Sequence, residues 1–215
     1  MIIEYLGHSC FKLTESTGTC VVCDPYSEET VGYAMPKVTA DAVTVSHHHD
    51  DHDFIANVGG NPVIIDKESS FDLPGVEINS VKSFHDGNRG KKRGENVIFK
   101  FRMDGIDICH LGDLGEACSL DLIETILPVN VLLIPVGGNY TIDAEMAKEY
   151  VDRIMPEIVI PMHFRTKDSK IDIDKLDGFL NLFDGDCIEE KEESSLELSR
   201  SDLTEETKII VLRRA

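Results

Sequence analysis

The stretch Val45–His52, VSHHHDDH, holds four of the chain's eight histidines and two adjacent aspartates. It lies inside the chain, is broken by Asp50 and Asp51, and follows the apolar run Ala42–Val45, so it is not the remnant of a purification tag. Taken by position, His47, His49, Asp51 and His52 spell His-x-His-x-Asp-His after a predicted strand. Alternate side chains of an extended segment share a face, which would turn His47, His49 and Asp51 to one side and leave His52 where the chain turns. Imidazole and carboxylate are ligands for zinc, and for iron or manganese in some geometries. Four such groups within six residues exceed what one tetrahedral ion uses while keeping an open position. Two ions are the economical reading.

The other histidines sit at further strand ends. His85 closes VEINSVKSF, His110 and Asp113 follow IDIC in HLGDLG, and His163 follows EIVIP. Four strand ends thus each present a metal-competent side chain, and ligand sites of α/β proteins form where strand ends share a sheet edge. The remaining histidine, His8, lies in GHS near the N-terminus.

The rest of the pattern fixes the architecture. IIEYL, CFKLT and TCVVCD read as strands with a turn at Ser16–Gly18, and AVTVS, PVIID and VEINSVKSF as further strands, the last two separated by a loop at Pro74-Gly75. NVIFKFRM and IDICHL flank Asp104-Gly105, a hairpin signal. From Ser119 the character changes. SLDLIETIL reads as a helix with a serine cap. IDAEMAKEYVDRIM has helical spacing stopped by Pro156, and DKLDGFLNLF suggests a third helix. VNVLLIPV, EIVIPM and the closing KIIVL are strands, and residues 190–207 form a charged surface segment before the last of them. Strands first, then strands alternating with helices, predict a single domain over residues 1–215: an α/β four-layer αββα sandwich.

Composition narrows the function. With 41% hydrophobic residues the chain can bury a large core, and no apolar run approaches the roughly 20 residues that span a bilayer. The start, MIIEYLGHSCF, lacks a basic n-region and a long apolar stretch, so a cytoplasmic protein with no membrane partner is expected. The six cysteines sit mostly in apolar runs, as buried thiols of a reducing compartment do. Cys20 and Cys23 form a lone CxxC, read as core packing rather than a redox or zinc site. A net charge of −19 argues against sequence-independent nucleic-acid binding. It leaves room for a local anion site, and Asp86–Asn96 concentrates Arg89, Lys91, Lys92 and Arg93 directly after His85. That loop is either an anion-binding rim or a flexible, solvated segment. In VGGNY, Asn139 and Tyr140 follow a strand on the same edge and are candidate substrate contacts.

GHSCF, SHHHDDH, SFHD, HLGDLG, LLIPVGGNYTID and IPMHF, in this order over Met1 to Thr166, resemble the metallo-β-lactamase-fold hydrolases. The similarity is greatest to their small, single-domain, ascorbate-6-phosphate lactonase-like branch. The resemblance implies one metal on His47, His49 and His85, a second on Asp51, His52 and His163, and Asp113 bridging them. It implies that His48 and Asp50 point away, that Asp24 of CDPY bonds a ligating imidazole, and that His8 stands near the metals without binding them. His110 is left out, because alternation from Asp113 puts it on the opposite face. Catalysis would rest on a metal-bridging hydroxide, with Asp51 orienting it and His8 as a second catalytic candidate. Two divalent ions are expected, zinc first, with manganese or iron as alternatives. The expected substrate is a small, anionic lactone, ester or phosphodiester. A nuclease of the same fold and a non-catalytic metal-binding sensor are the alternatives, and homo-oligomerisation is left open. Flavodiiron-type relatives carry Glu where this chain has His49, which disfavours a redox role. One departure stands out: close relatives place a histidine after LGDLG, where this chain has Glu116.

Overall fold

Two β-sheets face each other in the computed structural model, which describes every residue from Met1 to Ala215. The first has six strands in the order Ser195–Glu197, Ile2–Gly7, Cys10–Thr14, Cys20–Cys23, Ala42–Thr44 and Val63–Ile65. The second has eight, in the order Ile188–Glu190, Lys208–Val211, Ile158–Met162, Val131–Pro135, Ile106–His110, Glu95–Met103, Val76–Phe84 and Ser70–Leu73. Period-two alternation sends Ile3, Tyr5, Phe11 and Leu13 inward from the first sheet, against Ile78, Phe99, Phe101, Leu133 and Ile160 of the second. Each large apolar side chain buried there contributes about 1.5–3 kcal/mol. Truncating Phe99 to Ala would cost about 3–5 kcal/mol.

The strands Val131–Pro135 and Ile158–Met162 are buried at every position because they run parallel and are covered on both faces. On the outer face of their sheet lie α2 (Leu120–Ile126), α3 (Ala144–Ile154) and α4 (Asp177–Leu180), following α1 (Glu28–Val31) in the chain. Ser119 caps α2 by accepting from Leu122 N, and Asp143 caps α3 by accepting from Met146 N. The helix α3 ends at Met155, whose left-handed backbone precedes Pro156. Over the first sheet the outer layer is thin. There Tyr26, Val31, Tyr33 and Met35, from α1 and its flanking loops, cover Leu6, Val22 and Val43. The layering is αββα, with one α layer reduced to a single turn of helix.

Some elements differ from expectation. The stretch 174–183 yields only the four-residue α4, because Gly178 and Asn181 weaken helix propagation. An unforeseen strand, Ser70–Leu73, pairs across the Pro74-Gly75 turn. Asp104 and Gly105 both adopt positive φ, the mirror-image turn that suits a two-residue hairpin. Residues 190–207 are mostly exposed, yet Ser195–Glu197 pairs antiparallel with Ile2–Glu4 and Leu198 is buried. No helix is long and apolar enough to cross a membrane.

Candidate metal centre

Four strands end on one edge of the sandwich and deliver the histidine-rich segments to a common point. Ala42–Thr44 leads into His47–His52, Val76–Phe84 into His85, Ile106–His110 into Asp113, and Ile158–Met162 into His163. The ligand-type atoms fall into three overlapping groups: His47, His49 and His85; His8, Asp51, His52 and His163; and His47, His52 and Asp113. Asp113 stands at the centre. Its carboxylate lies 3.2 Å from Nε2 of His52 and of His163, 3.5 Å from that of His85 and 3.9 Å from that of His47.

The histidine segment reaches this arrangement by turning, not by continuing the strand. His52 N and Asp53 N both donate to His49 O, closing a turn that separates His47 and His49 from Asp51 and His52. Extended alternation therefore does not put His47, His49 and Asp51 on one side. Two of the three groups contain the residues that the resemblance pairs, and the third, His47, His52 and Asp113, spans both. His48 and Asp50 are exposed, and His48 faces Asp53 at 3.2 Å.

Hydrogen bonds fix the protons on three imidazoles. Asp24, fully buried, accepts from Ser46 N at 2.8 Å, from Ser46 Oγ at 2.6 Å and from His52 Nδ1 at 2.8 Å. His52 thus carries its proton on Nδ1 and turns a bare Nε2 to the cluster. Because Ser46 Oγ gives its own proton to Asp24, it accepts from His47 Nδ1 at 3.0 Å, which leaves His47 Nε2 bare as well. One carboxylate therefore orients an imidazole of each cluster, one directly and one through a hydroxyl. His110 is fully used elsewhere. Its Nε2 donates to Ser9 O at 2.8 Å and its Nδ1 accepts from Gly112 N at 3.1 Å, so it offers nothing to the centre.

The electrostatics fit cations. Nε2 of His47, His52 and His163 and Oδ1 of Asp113 are buried without a hydrogen-bond partner. Buried polar atoms are rarely left unpaired, and four converging on one point suit a shared positive ligand. Burial, reinforced by His163, lowers the His8 pKa to about 4, and burial with the neighbouring His52 lowers that of His47 to about 3. Burial would also lower His52, but the carboxylates of Asp113 and Asp51 outweigh it and raise its pKa; a cation among those carboxylates would take the place of that second proton on Nε2. Burial alone would raise Asp51; the His52 charge and the bond from His8 hold it well below the carboxylate range. Neutral imidazoles with ionised carboxylates are the donor set of zinc and related divalent ions.

Backbone strain gathers here. His8, Asp24 and His163 all adopt positive φ, a conformation that non-glycine residues hold only when their surroundings impose it. His163 N donates to His8 O at 3.0 Å, tying the turn after the first strand to the end of Ile158–Met162. Gly137 makes this possible, since a Cβ there would lie 2.1 Å from His163 O. His8 Nε2 reaches Asp51 Oδ2 at 3.2 Å.

A cleft of about 420 Å³ opens over the clusters. Arg93 and Tyr140 line it, with the guanidinium 4.4 Å from the ring centroid and donating to Asn139 O. Asn139 itself turns its amide to Asp172 O, and neither it nor Arg89 lines the cleft. The basic loop is built around Asp86, whose carboxylate accepts from the backbone of Asn88, Gly90, Lys92 and Arg93. Glu116 is also off the cleft, and accepts from Phe84 N at 3.2 Å. Thr30, Lys170, Ile171 and Asp172 complete the lining. No motif marks them in the sequence, Thr30 lying in the single-turn helix α1 and the others in a loop. Cys20 and Cys23 hold separate places, Cys23 buried in the sheet and Cys20 half-exposed against Thr39 O.

Comparison with known proteins agrees with this geometry. Residues 2–163 match the model of the beta-lactamase superfamily domain. A UPF0173 metal-dependent hydrolase of Methanospirillum hungatei is 30% identical over 191 residues, 78% of this chain and 84% of that protein. A second, from Carboxydothermus hydrogenoformans, is 30% identical over 200 residues, 77% of this chain and 85% of its own. A Thermotoga maritima crystal structure, described as a candidate zinc-dependent hydrolase of the metallo-beta-lactamase superfamily, superposes with a TM-score of 0.81 at 38% identity, covering 98% of this chain and 97% of that one. With its histidine clusters at the strand ends and relatives of this identity over most of their length, the chain belongs to the beta-lactamase superfamily and, within it, to the UPF0173 metal-dependent hydrolases.

Proposed function

We propose that the protein is a two-metal hydrolase of small anionic esters, a class that includes lactones and phosphodiesters. The observation that carries this reading is the convergence of seven side chains around Asp113 with bare, buried Nε2 atoms facing inward. His47, His49 and His85 would hold one ion and Asp51, His52 and His163 the other, with Asp113 between them. Zinc is the first choice for this donor set, and manganese or iron the alternatives. When bound, such ions supply Lewis acidity and make a coordinated water acidic near neutral pH.

The chain's own residues do the rest. Asp24 keeps His52, and through Ser46 also His47, in the tautomer that binds. Asp51 is ionised and its Oδ2 is held by His8, so the carboxylate is fixed as an acceptor that would orient the attacking water. His8 steadies that carboxylate from the side of His163. Arg93, braced on Tyr140, and Lys170 face the cleft and supply positive charge for an anionic group. A protein charge of −19 favours a small molecule over nucleic acid. Six free cysteines suit a reducing compartment such as the cytoplasm.

The test is hydrolysis of bis(p-nitrophenyl) phosphate and of a carbonyl-ester panel by protein loaded with zinc or manganese, with Asp51→Ala beside it. Turnover that needs the metal and fails in the variant is expected. A protein that binds no ions, or binds two and cleaves nothing, would sink the reading.

A further inference from the structure

The 420 Å³ cleft is not the only hollow beside the clusters. A groove of about 540 Å³ lies on the other side of His49 and Arg93, and these two residues line both. They form a ridge. His85 is reached from the cleft and His47 from the groove, so the first cluster is open from two directions. The ridge is rigid. Arg93 is fixed by the Tyr140 ring, by Asn139 O, and by its backbone bond to Asp86 at 2.8 Å.

The two hollows differ in charge. Beyond the cluster residues, the cleft offers Arg93 and Lys170 against Asp172 alone. Lys170 Nζ is held at Glu29 O, 3.1 Å away, and neither cation pairs with a carboxylate, while Asp172 faces Arg165 at 3.9 Å. In a chain with 40 acidic residues, two unpaired cations in one cleft mark a place for an anion. The groove is balanced only with the shared Arg93: Arg93, Lys67 and Lys82 stand against Asp66, Glu68 and Glu95, Lys82 pairs with Glu95, and Val97 is the one apolar residue. Such a lining suits an uncharged or zwitterionic group rich in hydrogen-bonding atoms and repays a polyanion poorly.

We infer that the natural substrate is an open-chain ester with a polar arm on each side of the scissile bond. One arm, anionic, lies in the cleft at Arg93 and Lys170; the other, uncharged or zwitterionic, lies in the groove at Lys67 and Glu68. This rests on the hydrolase reading above and narrows it, because a small lactone folds both arms into one ring and fills one hollow. Water adds across the ester bond. Its oxygen joins the acyl or phosphoryl centre, that centre's bond to the alcohol oxygen breaks, and the alcohol leaves with a proton. Binding both remote arms steadies the reacting centre beside the ridge, where Asp51 and Asp113 line the cleft, and such remote contacts raise turnover as well as affinity.

The experiment compares matched probes on the full-length, metal-loaded protein: glyceryl hemisuccinate, methyl hemisuccinate, glyceryl acetate and γ-butyrolactone, together with the corresponding series of phosphodiesters. In the responsive series, each arm is expected to raise kcat/KM by about tenfold. Lys170→Ala should shrink the succinyl-to-acetyl ratio, and Lys67→Ala with Glu68→Ala the glyceryl-to-methyl ratio, each with two ions still bound per chain. One-armed esters or the lactone cleaved as well as the two-armed probe would overturn the inference and leave the hydrolase reading standing. So would a preference for a short oligonucleotide, anionic on both sides. No cleavage in either series at full metal content would instead overturn the hydrolase reading itself.

Discussion

Replacing Asp24 with Asn changes one atom of a fully buried side chain, yet it should disturb both ion sites. The carboxylate takes three hydrogen bonds: Ser46 N on one oxygen, and Ser46 Oγ and His52 Nδ1 on the other. Burial alone would raise its pKa, but the bond and charge of His52 hold it below the ordinary carboxylate range, so a negative charge is lost in the variant. If the amide oxygen keeps Ser46 N, its NH₂ faces two donors. The hydroxyl escapes by rotating. The imidazole escapes only by moving its proton from Nδ1 to Nε2, where it points at Asp113 Oδ1 3.2 Å away and removes the lone pair that an ion needs. Losing such an orienting partner costs about 10–100-fold in metal affinity, or about 1.4–2.8 kcal/mol. Because Ser46 Oγ links the same carboxylate to His47, both ions should be weakened by Asp24→Asn, whereas Ser46→Ala should weaken mainly the ion at His47, His49 and His85. Chelator competition gives the two affinities, and nitrogen-15 NMR of the histidine rings reads the tautomer of His52. Two ions held at wild-type affinity, with His52 still protonated on Nδ1, would refute the reasoning.

Gly137→Ala forces a carbon into the space at His163 O and should cost about 1–3 kcal/mol, lowering Tm by about 2–12 °C and reducing metal content; calorimetry with metal analysis checks both. Burial lowers the His110 pKa below the unfolded value, so stability is fully present above the ordinary histidine range and falls as pH drops through it, the unfolded chain binding the extra proton. Urea unfolding at a series of pH values should show that slope, reduced in His110→Asn. Glu116→Ala leaves Phe84 N without its acceptor and should cost about 1 kcal/mol of unfolding free energy, read by urea titration, with metal content unchanged, while Glu116→Gln, which keeps the oxygen, should restore most of it.

The strand ends and one helix cap could be read from the chain because their signals are local. Ser119 precedes an amphipathic run, and Asp104-Gly105 permits one kind of turn. The metal-type residues were legible for the same reason, being concentrated in a short segment and at strand ends. What period-two reasoning got wrong was the path between His47 and His52, because a turn closed by His49 O replaces the strand. Lys170 and Thr30 could not be found, since they reach the cleft through a contact between a loop and the short helix α1 in which Lys170 N donates to Val31 O. The rigidity of the basic loop was equally hidden. It depends on Asp86 collecting four backbone donors, and no residue pattern announces that.

The bond from His163 N to His8 O carries a consequence for how the protein is made. Candidate ligands 47–52 come from the sheet built by the first part of the chain, while His85, Asp113 and His163 come from the other. Neither half can capture a pair of ions until the sheets have docked and that cross-link has closed. On the two-ion proposal, ion uptake would be a late event in biogenesis, and a chain that had taken up both ions would already have passed its own inspection of sheet alignment.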